Sequence, residues 1–255
     1  MSAKKYLIVN ADDFGRSDKL NRGIIEAHEG GIVTSASLMV RWPSAADAAA
    51  YAKDRPDFSV GLHLDLGEWV YHDGTWDLLY EVVPMDEPAS VRLELSRQLA
   101  AFRDLTGKNP SHIDSHQHVH LRELARSVVL DEARRLNVPV RGADSQIHHC
   151  GHFYGQLAEG APRHEGITVE ALINIFSKLQ PGITELGCHP GYAGDFESVY
   201  SAEREQELST LRDPRVREAL RAMGVELRSF RELSDIYLFP EMNMHSQIGG
   251  QYRCA

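Results

Sequence analysis

Cysteine is scarce and irregular in this sequence. Cys150, Cys188 and Cys254 are odd in number, widely spaced, and contain no Cys-x-x-Cys pair. That argues against a disulfide framework or a thiolate-bound structural zinc, and for free thiols in a reducing compartment. Long apolar runs are missing as well: nothing approaches the roughly 18 residues that span a bilayer. Met1–Lys5 leads into a strand-like segment without the apolar core of a signal peptide, so a cytoplasmic location is expected. Positive charge is the scarcer sign, 27 Lys and Arg against 37 Asp and Glu, a net charge of −10. Nucleic acid and anionic membranes would be repelled, which leaves a neutral or cationic small molecule as the expected partner. Internal repeats and low-complexity tracts are absent. With 255 residues, 42% of them hydrophobic and 25% charged, the chain can bury one sizeable core and is not a candidate for disorder.

What is present is an alternation of strand-like and helix-like segments. Lys5–Asn10 reads as a strand, and Ser17 caps a helix through about His28 with Leu20, Ile24 and Ala27 on one face. Ile32–Val40 reads as a strand, Ala45–Lys53 as a helix and Phe58–Leu64 as a third strand. Ser90 is expected to cap a long helix ended by Gly107 and Pro110. His112–His116 follows as a strand, Leu121–Leu136 as a helix and Val138–Arg141 as a strand. Thr168–Leu179 is then helical, Gly182–His189 a strand, Ala202–Leu211 and Val216–Met223 helical, and Val225–Leu227 a last strand. Such alternation implies parallel strands with right-handed crossovers, in a barrel or an open doubly wound sheet. Asp12, Asp13, His63, His116, Arg141 and His189 all fall at C-terminal strand ends, spread over five strands. A barrel gathers such ends at one mouth. The expected fold is therefore α/β, a single (β/α) barrel over residues 1–240, distorted or missing a strand. Long connections at 67–88, rich in aromatics, and 142–166, rich in histidine, should overhang the mouth. Residues 241–255 read as a polar tail.

The segment from His112 to His120 holds four histidines and Asp114, a density with few structural excuses. Asp12-Asp13 and His63 each follow an apolar run. Acidic and imidazole groups delivered by separate strand ends are what a hydrolytic metal site needs. Strand parity puts His112, Asp114 and His116 on one face, and Gly61, His63 and Asp65 on one face of theirs. Asp12 and Asp13 cannot both point inward from a regular strand, so one must sit where the chain turns, near Gly15. One acid could then bind a metal while the other stands beside its water. Asp65 and Asp114 read as partners that orient imidazoles. Plainer readings stand beside these: a helix cap for the acidic pair, a core histidine at His63, a turn histidine at His189, and loop histidines at His148 and His149. Trp69 and Trp76 could pack their own loop.

Taken together, Asn10-Ala11-Asp12-Asp13-Phe14-Gly15, Gly61-Leu62-His63, the His112–His120 segment, Phe153-Tyr154-Gly155 and Cys188-His189-Pro190-Gly191 closely resemble the YdjC-like carbohydrate deacetylases. The match runs in order from Tyr6 to about Phe230. The resemblance implies a distorted barrel related to the polysaccharide deacetylases. It also implies removal of acetyl groups from N-acetylated amino sugars such as chitooligosaccharides, and a divalent cation, Mg²⁺ or Zn²⁺. Carried over by position, the metal ligands are Asp13, His63 and His116. Asp12 is the base, His189 the acid, and Arg141 holds the base. His118, His120 and Tyr154 fall in matching segments as supporting or substrate-contacting groups. A small carbohydrate partner and a homodimer are implied too. The rival expectations are a metal-dependent phosphoesterase on a similar barrel and a catalytically silent sugar- or metal-binding protein.

Overall fold

In the computed structural model, residues 4–235 are described apart from 73, 158, 159 and 197. The expected tail at 241–255 lies outside the described residues. The chain runs β1 (Lys5–Phe14), α1 (Asp18–Glu29), β2 (Ser35–Leu38), α2 (Ala45–Lys53), β3 (Ser59–Leu64), β4 (Gly67–His72), β5 (Thr75–Glu81), α3 (Pro88–Thr106) and β6 (Ile113–Ser115). It continues with α4 (Glu123–Leu136), β7 (Ile147–Cys150), α5 (Val169–Ser177), β8 (Gly182–Cys188), α6 (Ser201–Arg212), α7 (Pro214–Ala222) and β9 (Val225–Leu227).

Local chemistry accounts for most of these limits. Ser17 Oγ accepts the Leu20 amide at 3.2 Å and starts α1, satisfying a donor that the first turn leaves free. In α2, Ala45, Ala48, Ala49 and Ala52 form the buried face, small enough to lie close on the sheet. Ser90 does not cap α3. The helix begins two residues earlier with Pro88 in its first turn and Glu87 at the cap position, because proline's fixed φ suits that turn and its missing N–H costs nothing there. Two long connections are more ordered than their composition suggests. Residues 67–88 contain the antiparallel β4–β5 hairpin, and residues 142–166 contain β7. The strand expected at Val138–Arg141 shrinks to one bridge, Ile113 to Val140.

The main sheet is parallel, in the order β6-β3-β2-β1-β8-β7, with β9 also pairing β1. Four strand spacings separate β6 from β8 in this order, about 19 Å if the sheet were flat. Yet Arg141, just past the bridge to β6, places Nε 2.7 Å from Glu185 Oε1 on β8. The rings of His118, just after β6, and His149 on β7 lie 5.5 Å apart. The sheet is therefore curled into a distorted barrel, with no ladder joining β6 to β7 among the described residues. No described helix is long and apolar enough to cross a membrane.

Strand parity sorts the side chains. Leu7, Val9 and Ala11 of β1 join the large core beneath the helices. Ile8 points the other way and meets Ile147, Ile183, Phe230 and Leu233. Asn10 and Asp12 continue that inward row toward the C-terminal mouth. The barrel thus has an apolar floor and a polar upper half. A one-residue slip of β1 would exchange the two faces and bury carboxylate under the helices, which fixes the register.

Candidate active site

Parity and one turn bring the site together. Asn10 and Asp12 share a face, and Asn10 Nδ2 donates to Asp12 Oδ1 at 3.0 Å. Asp13 should face outward, but its φ of +67° lies in the left-handed region and swings it inward too. That conformation is uncommon for a non-glycine residue and marks a position held by its surroundings. Gly15 (φ +91°) completes the turn. His63 pairs with Asp114 across β3 and β6, so their side chains meet, His63 Nδ1 lying 2.8 Å from Asp114 Oδ1.

Asp13, His63 and His116 converge. Asp13 Oδ1 lies 3.5 Å from His63 Nε2 and 3.2 Å from His116 Nδ1. This carboxylate oxygen is buried and makes no hydrogen bond, while Oδ2 receives Arg204 Nη2 at 2.5 Å. An ionised oxygen left bare in a dry site is costly, and two imidazole nitrogens beside it are the donor set of a divalent cation. The three groups can hold a metal ion. A second grouping, Asp12, His63 and Asp114, is also close enough, but Arg141 and the His63–Asp114 contact already occupy its oxygens.

Arg141 is the electrostatic hub. It donates to Asp12 through Nη1 at 2.5 Å and Nη2 at 2.7 Å. Nη2 also lies 2.7 Å from Asp114 Oδ2, and Nε donates to Glu185 Oε1. Burial opposes ionisation of Asp12, but the guanidinium overrides it and holds the carboxyl at about 2. The same contest, burial against Arg204 and the two imidazoles, leaves Asp13 well below the usual carboxylate range. His63 is pushed up to about 10, burial being outweighed by Asp114.

The other expected residues divide. His120 Nε2 lies 2.9 Å from the Arg141 carbonyl oxygen and its Nδ1 2.6 Å from Ser115 Oγ, so it pins the backbone of the hub. His118 is half-buried beside His149, its Nδ1 enclosed and unpartnered. His112 shares the inward face but sits a layer deeper, stacked on Phe230 at 3.7 Å, away from the convergence. Asp65 does not orient an imidazole. Past the end of β3 its carboxylate turns aside and accepts from Arg41, Trp42 and Tyr80. Trp69 lies half-buried beneath the Arg122 guanidinium, and Trp76 packs edge-on against Tyr71 of its own hairpin.

His189 faces Asp12, Nε2 to Oδ2 at 3.8 Å. Tyr154 stacks on Tyr200 and meets His189 edge-on. Burial pushes the His189 imidazole down to about 4, below the range in which a histidine holds its own proton at neutral pH. Its neighbour explains where a proton can reside. Glu207 accepts from the His189 backbone N–H and from Tyr200 O–H, and lies 3.9 Å from His189 Nδ1. Burial raises Glu207 to about 8. The sequence reading missed Glu207 and Arg204, both on α6, and Glu68 on β4.

The comparisons agree with this architecture. The chain is 34% identical to a carbohydrate deacetylase from Geobacillus stearothermophilus, over 89% of this chain and 98% of that protein. It is 30% identical to a chitooligosaccharide deacetylase from Serratia marcescens, over 90% and 100%. A crystal structure from Enterococcus faecalis V583, whose name suggests cellobiose-phosphate cleavage, superposes with a TM-score of 0.75 at 25% identity, covering 91% of this chain and 99% of that one. The family model for YdjC-like proteins matches residues 6–222, and the chain belongs to the YdjC-like family.

Proposed function

We propose that the protein is a metal-dependent carbohydrate deacetylase, hydrolysing the acetamido group of N-acetylated amino sugars or short chitooligosaccharides. The observation that carries this reading is the bare Asp13 Oδ1 between two imidazoles, beside a second carboxylate and a facing histidine. Asp13, His63 and His116 would hold the cation. Two nitrogens and one carboxylate suit Zn²⁺, Co²⁺ or Mn²⁺ better than Mg²⁺. When bound, it supplies a Lewis acid for the acetyl carbonyl and lowers the pKa of water.

The chain's own residues supply the proton transfers. Asp12, kept ionised by Arg141, accepts a proton from the attacking water. As the carbonyl carbon–nitrogen bond breaks, His189 Nε2 delivers a proton to the amine, and acetate leaves. Burial favours a proton on Glu207, whose Oε1 lies 3.9 Å from His189 Nδ1; closing that gap to hydrogen-bond distance lets His189 draw on it. Arg141 and His120 keep Asp12 aimed.

A phosphoesterase would need spare cationic groups for phosphate. Arg16, Arg141 and Arg204 each already face a carboxylate. The discriminating experiment offers di-N-acetylchitobiose, phosphomonoesters and a phosphorylated disaccharide, with and without chelator. Chelator-sensitive release of acetate with a new amine supports the proposal. Release of phosphate alone would replace it with the phosphoesterase, and binding without turnover would make the protein a silent binder.

A further inference from the structure

Each metal-facing histidine shows a different nitrogen to Asp13 Oδ1: His63 its Nε2, His116 its Nδ1. The far nitrogen of His63 meets Asp114, an acceptor, so when Nε2 gives its lone pair to a cation the remaining ring proton belongs on Nδ1. For His116 the far nitrogen is Nε2. Its polar neighbours are Arg16 Nη1 at 3.4 Å and Glu68 Oε2 at 3.6 Å. A guanidinium only donates. When Nδ1 gives its lone pair to a cation, Nε2 must carry the proton, and Glu68 is the group there able to accept it.

The backbone is built to hold Glu68 in place. Gln117, directly after His116, takes a left-handed φ of +49°. Its side chain brackets the residue directly after Glu68: Oε1 accepts the Trp69 amide at 2.9 Å and Nε2 donates to the Trp69 carbonyl at 2.7 Å. The hairpin is thus clasped to the site at the two positions adjoining His116 and Glu68. Arg16 Nη2 donates to Glu68 Oε2 at 2.6 Å and fixes the carboxylate from the other side.

The geometry points to ligation through opposite ring nitrogens, His63 by Nε2 and His116 by Nδ1, with Glu68 as the positioning residue that holds His116 in the required tautomer. This rests on the reading of Asp13, His63 and His116 as the metal site. It gives the β4–β5 hairpin a structural part in metal uptake.

The test uses full-length protein labelled with ¹⁵N-histidine, loaded with Zn²⁺, and long-range ¹H–¹⁵N correlation spectra that report which ring nitrogen carries hydrogen. His63 should carry it on Nδ1 and His116 on Nε2; the same nitrogen protonated in both would overturn the inference. Zn²⁺ affinity, measured by chelator competition, should fall about 10- to 100-fold in Glu68→Ala, as for other residues behind a ligand. Glu68→Gln should lose less, since its amide oxygen still accepts. An uncompensated Arg16 charge would give a similar loss, and the double variant Arg16→Gln/Glu68→Ala, which removes both the charge and the acceptor, separates the two. Persistent loss supports the tautomer role, and recovery to wild-type affinity refutes it. His116→Ala is the control. Unchanged affinity there would sink the metal-site reading, whereas loss there with none in the Glu68 variants would sink this inference alone.

Discussion

Replacing Arg141 by Met should be the most damaging single change outside the proposed metal ligands, and its size follows from burial. The Arg141 side chain is 1% exposed, and the side chains of Asp12, Asp114 and Glu185 around it are 5%, 0% and 1% exposed. Methionine fills a similar volume but leaves three carboxylates facing one another without their shared cation. Breaking a buried ion pair from one side costs about 3–5 kcal/mol. At about 2–4 °C per kcal/mol for a chain of this size, Tm should fall by about 6–20 °C near pH 7. The pH dependence has a definite sign. Asp12 has a folded pKa of about 2, below its ordinary 3.8, so its contribution is full above about 4 and is lost as pH falls toward 2. In the variant the same carboxyls bind protons readily, so acid relieves their repulsion. The gap between wild type and Arg141→Met should therefore narrow from about pH 7 to about pH 4, measured by thermal unfolding of metal-free protein. A Tm within about 2 °C of wild type at neutral pH, or a gap that widens in acid, would refute the assignment of Arg141 as the hub.

Other expectations concern the separate jobs of the site residues. Asp12→Asn should keep the metal and lose ~10²–10⁴-fold in kcat, while Asp13→Asn should lose the metal; metal analysis and acetate assays on both would expose a reversal of the two roles. His189→Ala should depress turnover of N-acetyl sugars strongly and of an activated O-acetyl ester much less, because that leaving group needs little protonation. Equal losses would make His189 a substrate-positioning or oxyanion-stabilising group. Glu207 sets the alkaline limb: wild-type kcat should decline as pH rises past about 8, where the pair loses its shared proton. In Glu207→Gln the limb should move to lower pH, since His189 alone binds a proton only in acid; an unmoved limb would exclude Glu207 from the proton path.

Much of the frame was legible because short apolar runs bounded by glycine and small polar residues read as buried parallel strands. Ser17 announced its helix, and Asp12-Asp13 announced a turn that Asp13 then makes with a positive φ. β7 escaped because Ile147-His148-His149-Cys150 lacks both alternation and an apolar run. The hairpin escaped because β5 is exposed on both faces, so neither face carries a burial pattern. Arg204 and Glu207 left a fainter trace. On α6 they stand four residues before Leu208 and Leu211, on the buried stripe, where charge is out of place unless paired. Asp65 was misread because parity with His63 holds only within the strand, and β3 ends at Leu64.

The central claim is that one cation, held by Asp13, His63 and His116, is required for deacetylation. Metal-stripped protein titrated with Co²⁺ while acetate release from di-N-acetylchitobiose is followed tests it most directly. The account predicts no turnover before addition, a linear rise to one equivalent and a plateau there, with no rise in Asp13→Asn or His116→Ala. Full activity in the stripped protein, or undiminished activity in those variants, would contradict it.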